Sequence, residues 1–306
     1  MKYILFLNHK QRQCGVYQYG KRTFDILKSS SKYRFVYAEV ESVDEYKSVE
    51  SNVHPKGIIY NYHNLTMAWL GGEHLDRSIK HFGIHHEGSK PTQVGFNYYL
   101  HADCTVQENE RDFAIPRPLI EGIEMPKVVN KIPTIGSFGF GFGHKNFGSV
   151  VKAVNDEFDE AIIRLHMPRA YYGDRNGEAT AGVIPGCQAE VHKEGIKLII
   201  THNFLDDIGL LSFLNSNDIN AFLYSETYNT GLSSVIDYAL SVDKPIMVNK
   251  TSMFRHINWV EPSICHGERT IRELMSDDNW QLEQFKEAWS NSNFIDKYES
   301  IIDRCI

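Results

Sequence analysis

Short apolar runs alternate with segments of helical spacing along almost the whole chain, and this alternation constrains the fold more than any other feature. A strand covered on both faces must be apolar on both, and a crossover helix must return the chain to the same sheet edge. In the first half the runs are 3–7, 34–38, 57–60, 82–85 and 104–106. Between the first two lies 16–28, with Val16, Tyr19, Phe24 and Leu27 near helical spacing. The pattern breaks at Ile115-Pro116-Arg117-Pro118 and Met125-Pro126, followed by Lys131-Ile132-Pro133, which reads as an interdomain linker. A second series follows: strand 134–137, helix 146–158, strands 161–165 and 196–200, helix 206–214, strand 219–223, helix 233–241 and strand 245–248. Segment 171–186, rich in glycine and polar residues, is expected to be a mobile loop. After Trp280 the spacing is helical to the end. The expectation is an α/β protein of two Rossmann-like, doubly wound domains facing across a cleft. Their spans are 1–127 and 131–280, with 281–306 packing back on the first. A length of 306 residues suits two domains.

Composition narrows the function. With 42% hydrophobic and 23% charged residues the chain can build ordinary buried cores. Its net charge of −7 supplies no overall cationic field, so an obligatory nucleic-acid partner is not expected. Five scattered cysteines, with no C-x-x-C pair, suggest free thiols rather than a zinc knuckle or disulfide framework. No stretch reaches the ~18 apolar residues of a membrane span. The opening run of apolar residues after Lys2 reads as a first buried strand, and the expectation is a soluble, cytoplasmic protein.

Open α/β sheets bind ligands at the carboxyl ends of their strands, so the loops there are the places to look for chemistry. Tyr224-Ser225-Glu226-Thr227-Tyr228-Asn229-Thr230-Gly231-Leu232-Ser233-Ser234 sets a carboxylate just after a strand, then a small-residue loop opening a helix. The free N–H groups of such a helix start suit a phosphate. The plain alternative is a capped βα turn, with Ser233 or Ser234 as N-cap. Earlier, Gly136, Gly139, Gly141 and Gly143 precede His144, Lys145 and Asn146. Glycines permit close backbone approach, and a lysine at the next helix start can reach a diphosphate. The spacing is not that of a P-loop, because Asn146 follows the lysine and places no hydroxyl.

Together these segments resemble the donor domain of GT-B fold glycosyltransferases, most closely the retaining class that includes sucrose and glycogen synthases. The likeness spans about 134–250 and is looser in the first half. It implies that Lys145 contacts the donor diphosphate, that Glu226 is the first of the family's paired glutamates, and that Gly231 to Ser233 face the phosphates. Gly139, Asn146, Thr230 and Leu232 join the donor-binding set, as does Arg164, which stands at a strand end where it can line the cleft or begin a solvated loop. The family's arginine before the lysine is absent, and Ser234, Asp237 or Tyr238 stands near its second glutamate. Gly15, in Gln13-Cys14-Gly15-Val16, falls on a loop that closes on the donor. His85 or His86, in Gly83-Ile84-His85-His86-Glu87-Gly88, falls where a histidine touches the transferred sugar. In an extended strand the two point to opposite faces, so only one can line the cleft. His85, His86 and Glu226 are the catalytic candidates.

The expected reaction transfers a sugar from a nucleoside-diphosphate sugar to the hydroxyl of a glycan or other acceptor. No cofactor and no metal site are expected. The chain has no two aspartates two apart, and the histidines near 81–86 lack the helical H-E-x-x-H arrangement. Lysine and helix dipole would then stabilise the leaving diphosphate. The rival readings are a nucleotide-sugar epimerase on the same fold and a catalytically silent nucleotide- or sugar-binding module.

Overall fold

The structure, a computed structural model, describes residues 2–87, 94–278 and 280–306. The chain divides into two compact units. The first comprises the residues up to Leu119 together with Asn229–Leu232 and Glu287–Ile306; the second holds Ile120–Tyr228 and Ser233–Lys286.

The first unit runs β1 (Lys2–Asn8), α1 (Gly15–Leu27), β2 (Tyr33–Glu39), α2 (Val43–Val53), β3 (Gly57–Asn61), β4 (Lys80–His85), β5 (Tyr98–His101) and β6 (Asp112–Ala114). All pairings are parallel, in the order β2-β1-β3-β4-β5-β6. Alternation along β1 explains the two cores. Ile4 and Phe6 join one apolar cluster, and Leu5 and Leu7 join the other, because successive side chains leave opposite faces.

The second unit runs β7 (Thr134–Phe138), α3 (Phe147–Glu157), β8 (Ala161–His166), α4 (Glu178–Ala189), β9 (Ile196–Thr201), α5 (Asp207–Asn215), β10 (Ile219–Phe222), α6 (Val235–Leu240), β11 (Ile246–Val248) and α7 (Ile271–Met275). Its parallel sheet has the order β11-β10-β7-β8-β9. Asp206 caps α5 by accepting from the Gly209 N–H at 2.8 Å. After α8 (Glu283–Ala288), α9 (Asn291–Cys305) lays Phe294, Tyr298, Ile301 and Ile302 on the Ile4/Phe6 face of the first sheet.

Each sheet reverses direction once. In the first, β1 leads outward to β2 on one side and β3 begins the other. In the second, β7 leads to β8 on one side and β10 begins the other. The crevices above the carboxyl ends of β1/β3 and of β7/β10 are therefore where each unit can take a ligand.

Three local expectations are corrected. Segment 104–106 is a turn, and the strand is Tyr98–His101 instead. Asp103 accepts from both the N–H and the hydroxyl of Thr105, at 3.0 and 2.7 Å, a side-chain turn that competes with extended pairing. Segment 171–186 is not one loop, because α4 starts at Glu178. The Asp174 carboxylate accepts from the Ala179 and Thr180 N–H groups, satisfying the first donors of that helix. The helix expected over 233–241 shortens to α6, and its N-cap Ser234 makes no side-chain capping bond.

Among the described residues no helix is long and apolar enough to cross a membrane. All five cysteines are free.

Candidate functional site

At the crevice of the second unit, β7 ends at Phe138 and the backbone turns through Gly139, whose φ of 152° favours glycine. A short 3₁₀ turn, Gly143–Lys145, and a left-handed Asn146 (φ 48°, ψ 45°) then lead into α3. The bend folds Lys145 back over the sheet edge. Its Nζ donates to the Tyr224 hydroxyl at 3.0 Å and to the Ser233 hydroxyl at 3.5 Å, and lies 4.1 Å from the Tyr224 ring centroid. Ser233 in turn donates to Tyr224 at 3.2 Å. Tyr224 follows β10, so the two strands of the switch point deliver this cluster together. Among the described residues no carboxylate pairs with Lys145. Burial pushes its pKa down to about 7 and raises that of the Tyr224 phenol, which stays a neutral hydroxyl.

Three glycines of this segment serve different ends. A Cβ at Gly139 would sit 3.6 Å from the Lys145 Cδ and 3.7 Å from the Tyr224 hydroxyl, so this glycine borders the cluster. A Cβ at Gly141 would overlap Thr180 of α4, and one at Gly136 would overlap the Asn217 amide. Those two are required by packing.

Glu226 lies beyond Tyr224 and is exposed. Its carboxylate accepts from the Ser252 hydroxyl at 2.5 Å, from the Ser252 N–H at 3.2 Å and from the Thr227 N–H at 3.0 Å. These bonds, the Ser252 hydroxyl foremost, hold its pKa below the usual range. Arg164 lies in the interior of β8. Its guanidinium donates to Ser216 and, at 3.1 Å, to Asn217, where α5 leads into the start of β10. That is the amino-terminal edge of the sheet, opposite Lys145.

In the first unit, His85 ends β4 as a buried side chain with its ring 5.4 Å from that of His101, edge to face. His101 is itself bonded to Asp112 at 2.8 Å. His86 lies just past the strand, half-buried and edge-on to Tyr19. Its Nε2 meets the Asn61 side-chain oxygen at 2.8 Å, and Asn61 donates to the Asn8 side-chain oxygen at 2.8 Å. Asn8 and Asn61 are the last residues of β1 and β3, the strands that flank this unit's reversal. Asn61 also donates to the Val16 carbonyl, one residue past Gly15, where α1 begins. Burial, with His63 and Arg117 nearby as lesser causes, keeps the His86 imidazole well below its usual pKa. Segment Asn229–Leu232 belongs to this unit, and a Cβ at Gly231 would overlap the His86 carbonyl oxygen. Glycine is required there by that close approach. Thr230 and Leu232 flank it, half-buried. Gly88 lies outside the described residues.

The structure thus gathers Gly139, Lys145 and Ser233 into one cluster and Gly231 with His86 into another. Sequence reasoning passed over Tyr224, Asn8 and Asn61. Each stands at or just after the carboxyl end of a strand beside a reversal point, a polar ending that could have marked them. Among the described residues no group of three or more His, Cys, Asp or Glu is arranged to hold a metal ion.

No protein-family model matches the sequence, and no curated protein matches it at the sequence level. Solved structures do match. Anabaena Alr3699/HepE, in complex with UDP and glucose, is 8% identical with a TM-score of 0.70, covering 99% of this chain and 100% of its own. AviGT4, a glycosyltransferase of avilamycin A biosynthesis, is 10% identical with a TM-score of 0.67, over 99% and 98% of the two chains. Sucrose-phosphate synthase from Thermosynechococcus elongatus is 10% identical with a TM-score of 0.65, over 98% and 96%. Two doubly wound parallel sheets in one chain, matched end to end by these structures, make this the GT-B fold.

Proposed function

We propose that the protein is a glycosyltransferase that moves a hexose or pentose from a nucleoside-diphosphate sugar to an acceptor hydroxyl without a divalent metal. The observation that carries this reading is Lys145, a half-buried ammonium with no carboxylate among the described residues, held at the β7/β10 crevice by two hydroxyls. A cation in that setting lacks a counter-charge, and a diphosphate would supply one. As the bond from the sugar C1 to the diphosphate oxygen breaks, negative charge grows on the leaving group. Lys145, the Tyr224 and Ser233 hydroxyls and the N–H groups opening α3 are the donors available to stabilise it. Glu226, ionised and exposed, is suited to accept from ribose or sugar hydroxyls, and His86 to contact the sugar or the acceptor.

HepE was solved with UDP, which makes UDP and its sugars the first ligands to test. A nucleoside diphosphate at 100 times its dissociation constant stabilises a protein by about 2.7 kcal/mol, visible as a rise in melting temperature. The expected result is such a rise with a nucleoside diphosphate, and transfer to an acceptor that survives EDTA. Activity abolished by EDTA and restored by manganese or magnesium would overturn the metal-free part. Isomerised sugar without acceptor would favour an epimerase, and binding without turnover across a wide acceptor panel a silent module.

A further inference from the structure

The polar groups under His86 form a chain whose hydrogen-bond directions are dictated by backbone atoms. The His9 N–H donates to the Asn8 side-chain oxygen at 3.0 Å, and the Asn8 side-chain NH₂ donates to the Tyr17 carbonyl at 3.1 Å. A backbone N–H can only donate and a carbonyl can only accept, so the orientation of the Asn8 amide is settled. The Asn61 NH₂ then faces two acceptors, the Asn8 oxygen at 2.8 Å and the Val16 carbonyl at 2.6 Å. Its own oxygen is left facing His86 Nε2 at 2.8 Å. That nitrogen must therefore carry a hydrogen, and in the neutral ring the lone pair resides on Nδ1. The chain is also tightly fitted: a Cβ at Gly20 would overlap the Asn61 amide.

Two neighbouring histidines show the contrast. His9 Nδ1 accepts from the Gln11 N–H at 3.2 Å, and His63 Nδ1 accepts from the Leu65 N–H at 3.1 Å while its Nε2 meets Glu87 at 2.8 Å. Their acceptor nitrogens are occupied by the protein's own backbone. Among the described residues His86 Nδ1 has no hydrogen-bond partner.

We propose that Asn61, oriented by Asn8, is a positioning residue that locks His86 as its Nε2–H tautomer, leaving Nδ1 as a hydrogen-bond acceptor for a hydroxyl of the sugar substrate. The identity of the partner rests on the transferase reading; the tautomer does not. Groups that bear on the His86 charge are His9 after β1, His63 after β3, His85 at the end of β4 and Arg117 after β6. All disfavour a second proton, so the ring remains a neutral acceptor at neutral pH.

The test has a spectroscopic and a kinetic arm. In the ¹⁵N-labelled full chain, long-range ¹H–¹⁵N correlation distinguishes a protonated ring nitrogen from a bare one, with His86 assigned by its loss in His86→Gln. The expected result at pH 7 to 8 is a protonated-type shift on Nε2 and a bare-type shift on Nδ1, averaging toward a mixture in Asn61→Leu. A wild-type ring protonated on Nδ1, or a mixture, overturns the proposal without needing any variant beyond the assignment. In the kinetic arm, with a UDP-sugar as donor, His86→Asn can place its amide oxygen near the Nδ1 position, whereas His86→Gln extends toward Nε2. His86→Asn is expected to retain several-fold more transfer than His86→Gln, and Asn61→Leu to cost little further in the His86→Gln background. Equal loss in both His86 variants, or a full further loss from Asn61→Leu, overturns it. A chain that transfers no sugar under any condition refutes the transferase reading, while the spectra still decide the tautomer.

Discussion

The two reversal points of this molecule are built on the same principle and carry opposite chemistry. Above β7/β10 the second unit holds an ammonium with two hydroxyls. Above β1/β3 the first unit holds a neutral imidazole on a pair of amides. A parallel sheet directs its carboxyl-end loops to one edge wherever the strand order reverses, whatever those loops contain. The fold therefore supplies the place, and the few residues at the strand ends decide what can be bound there. A cation with hydroxyl donors suits a phosphate, and a neutral acceptor suits a sugar hydroxyl.

The sharpest way to break that contrast is to remove the cation. Lys145→Ala is expected to weaken nucleoside-diphosphate binding by about 10- to 100-fold, the range for hydrogen bonds to charged groups, with no lowering of the unfolding midpoint. Titration calorimetry against UDP checks it; unchanged affinity would remove Lys145 from the site.

The same residue gives a pH dependence of two signs. Its pKa is about 7 in the folded chain against 10.5 as the ordinary value. Between those values the unfolded chain binds more protons, so its contribution to stability rises with pH over that window. Affinity for a diphosphate runs the other way, weakening by up to about tenfold per pH unit above 7 as the free protein loses its charge. Lys145→Met should abolish both trends, measured as the difference from wild type in melting temperature and in affinity from pH 6 to 9.

Gly231 tests the first unit. Gly231→Ala drives a methyl group toward the His86 carbonyl oxygen and is expected to destabilise by about 1–3 kcal/mol in urea unfolding. A neutral result would mean that segment 229–232 does not rest on His86.

The smallest effect is expected at Glu226. Glu226→Gln keeps the shape and one acceptor oxygen toward Ser252, so the melting temperature should hardly move while transfer falls a few-fold. A lowered melting temperature with normal kinetics would make the residue a staple between two loops and nothing more.

Much of this was legible in the sequence because it depends on periodicity and local backbone chemistry. A run such as 57–60, buried throughout, must be apolar, and a helix start such as that of α5, with Asp206 and Asp207, is set by neighbours a few residues away. The turn at 104–106 and the start of α4 were missed because single side chains, Asp103 and Asp174, override composition there. The roles of the glycines were not legible at all. Gly139 borders the Lys145 cluster, yet Gly141 is needed by Thr180 and Gly231 by His86, partners 39 and 145 positions away in the chain (180 − 141 and 231 − 86).

The sequence by itself determined two parallel α/β units, a lysine after a glycine-rich turn, and a carboxylate after a strand, since each follows from spacing within one βα unit. Only the tertiary structure decided which side chains meet. Strand order, not chain order, sets β10 beside β7 and so brings Tyr224 and Ser233 onto Lys145. It likewise sets β3 beside β1 and aligns Asn61 with Asn8 under His86. Register, in turn, sets Arg164 within β8 with its guanidinium on Ser216 and Asn217 and away from the Lys145 cluster, a position along the sheet axis that no local pattern encodes.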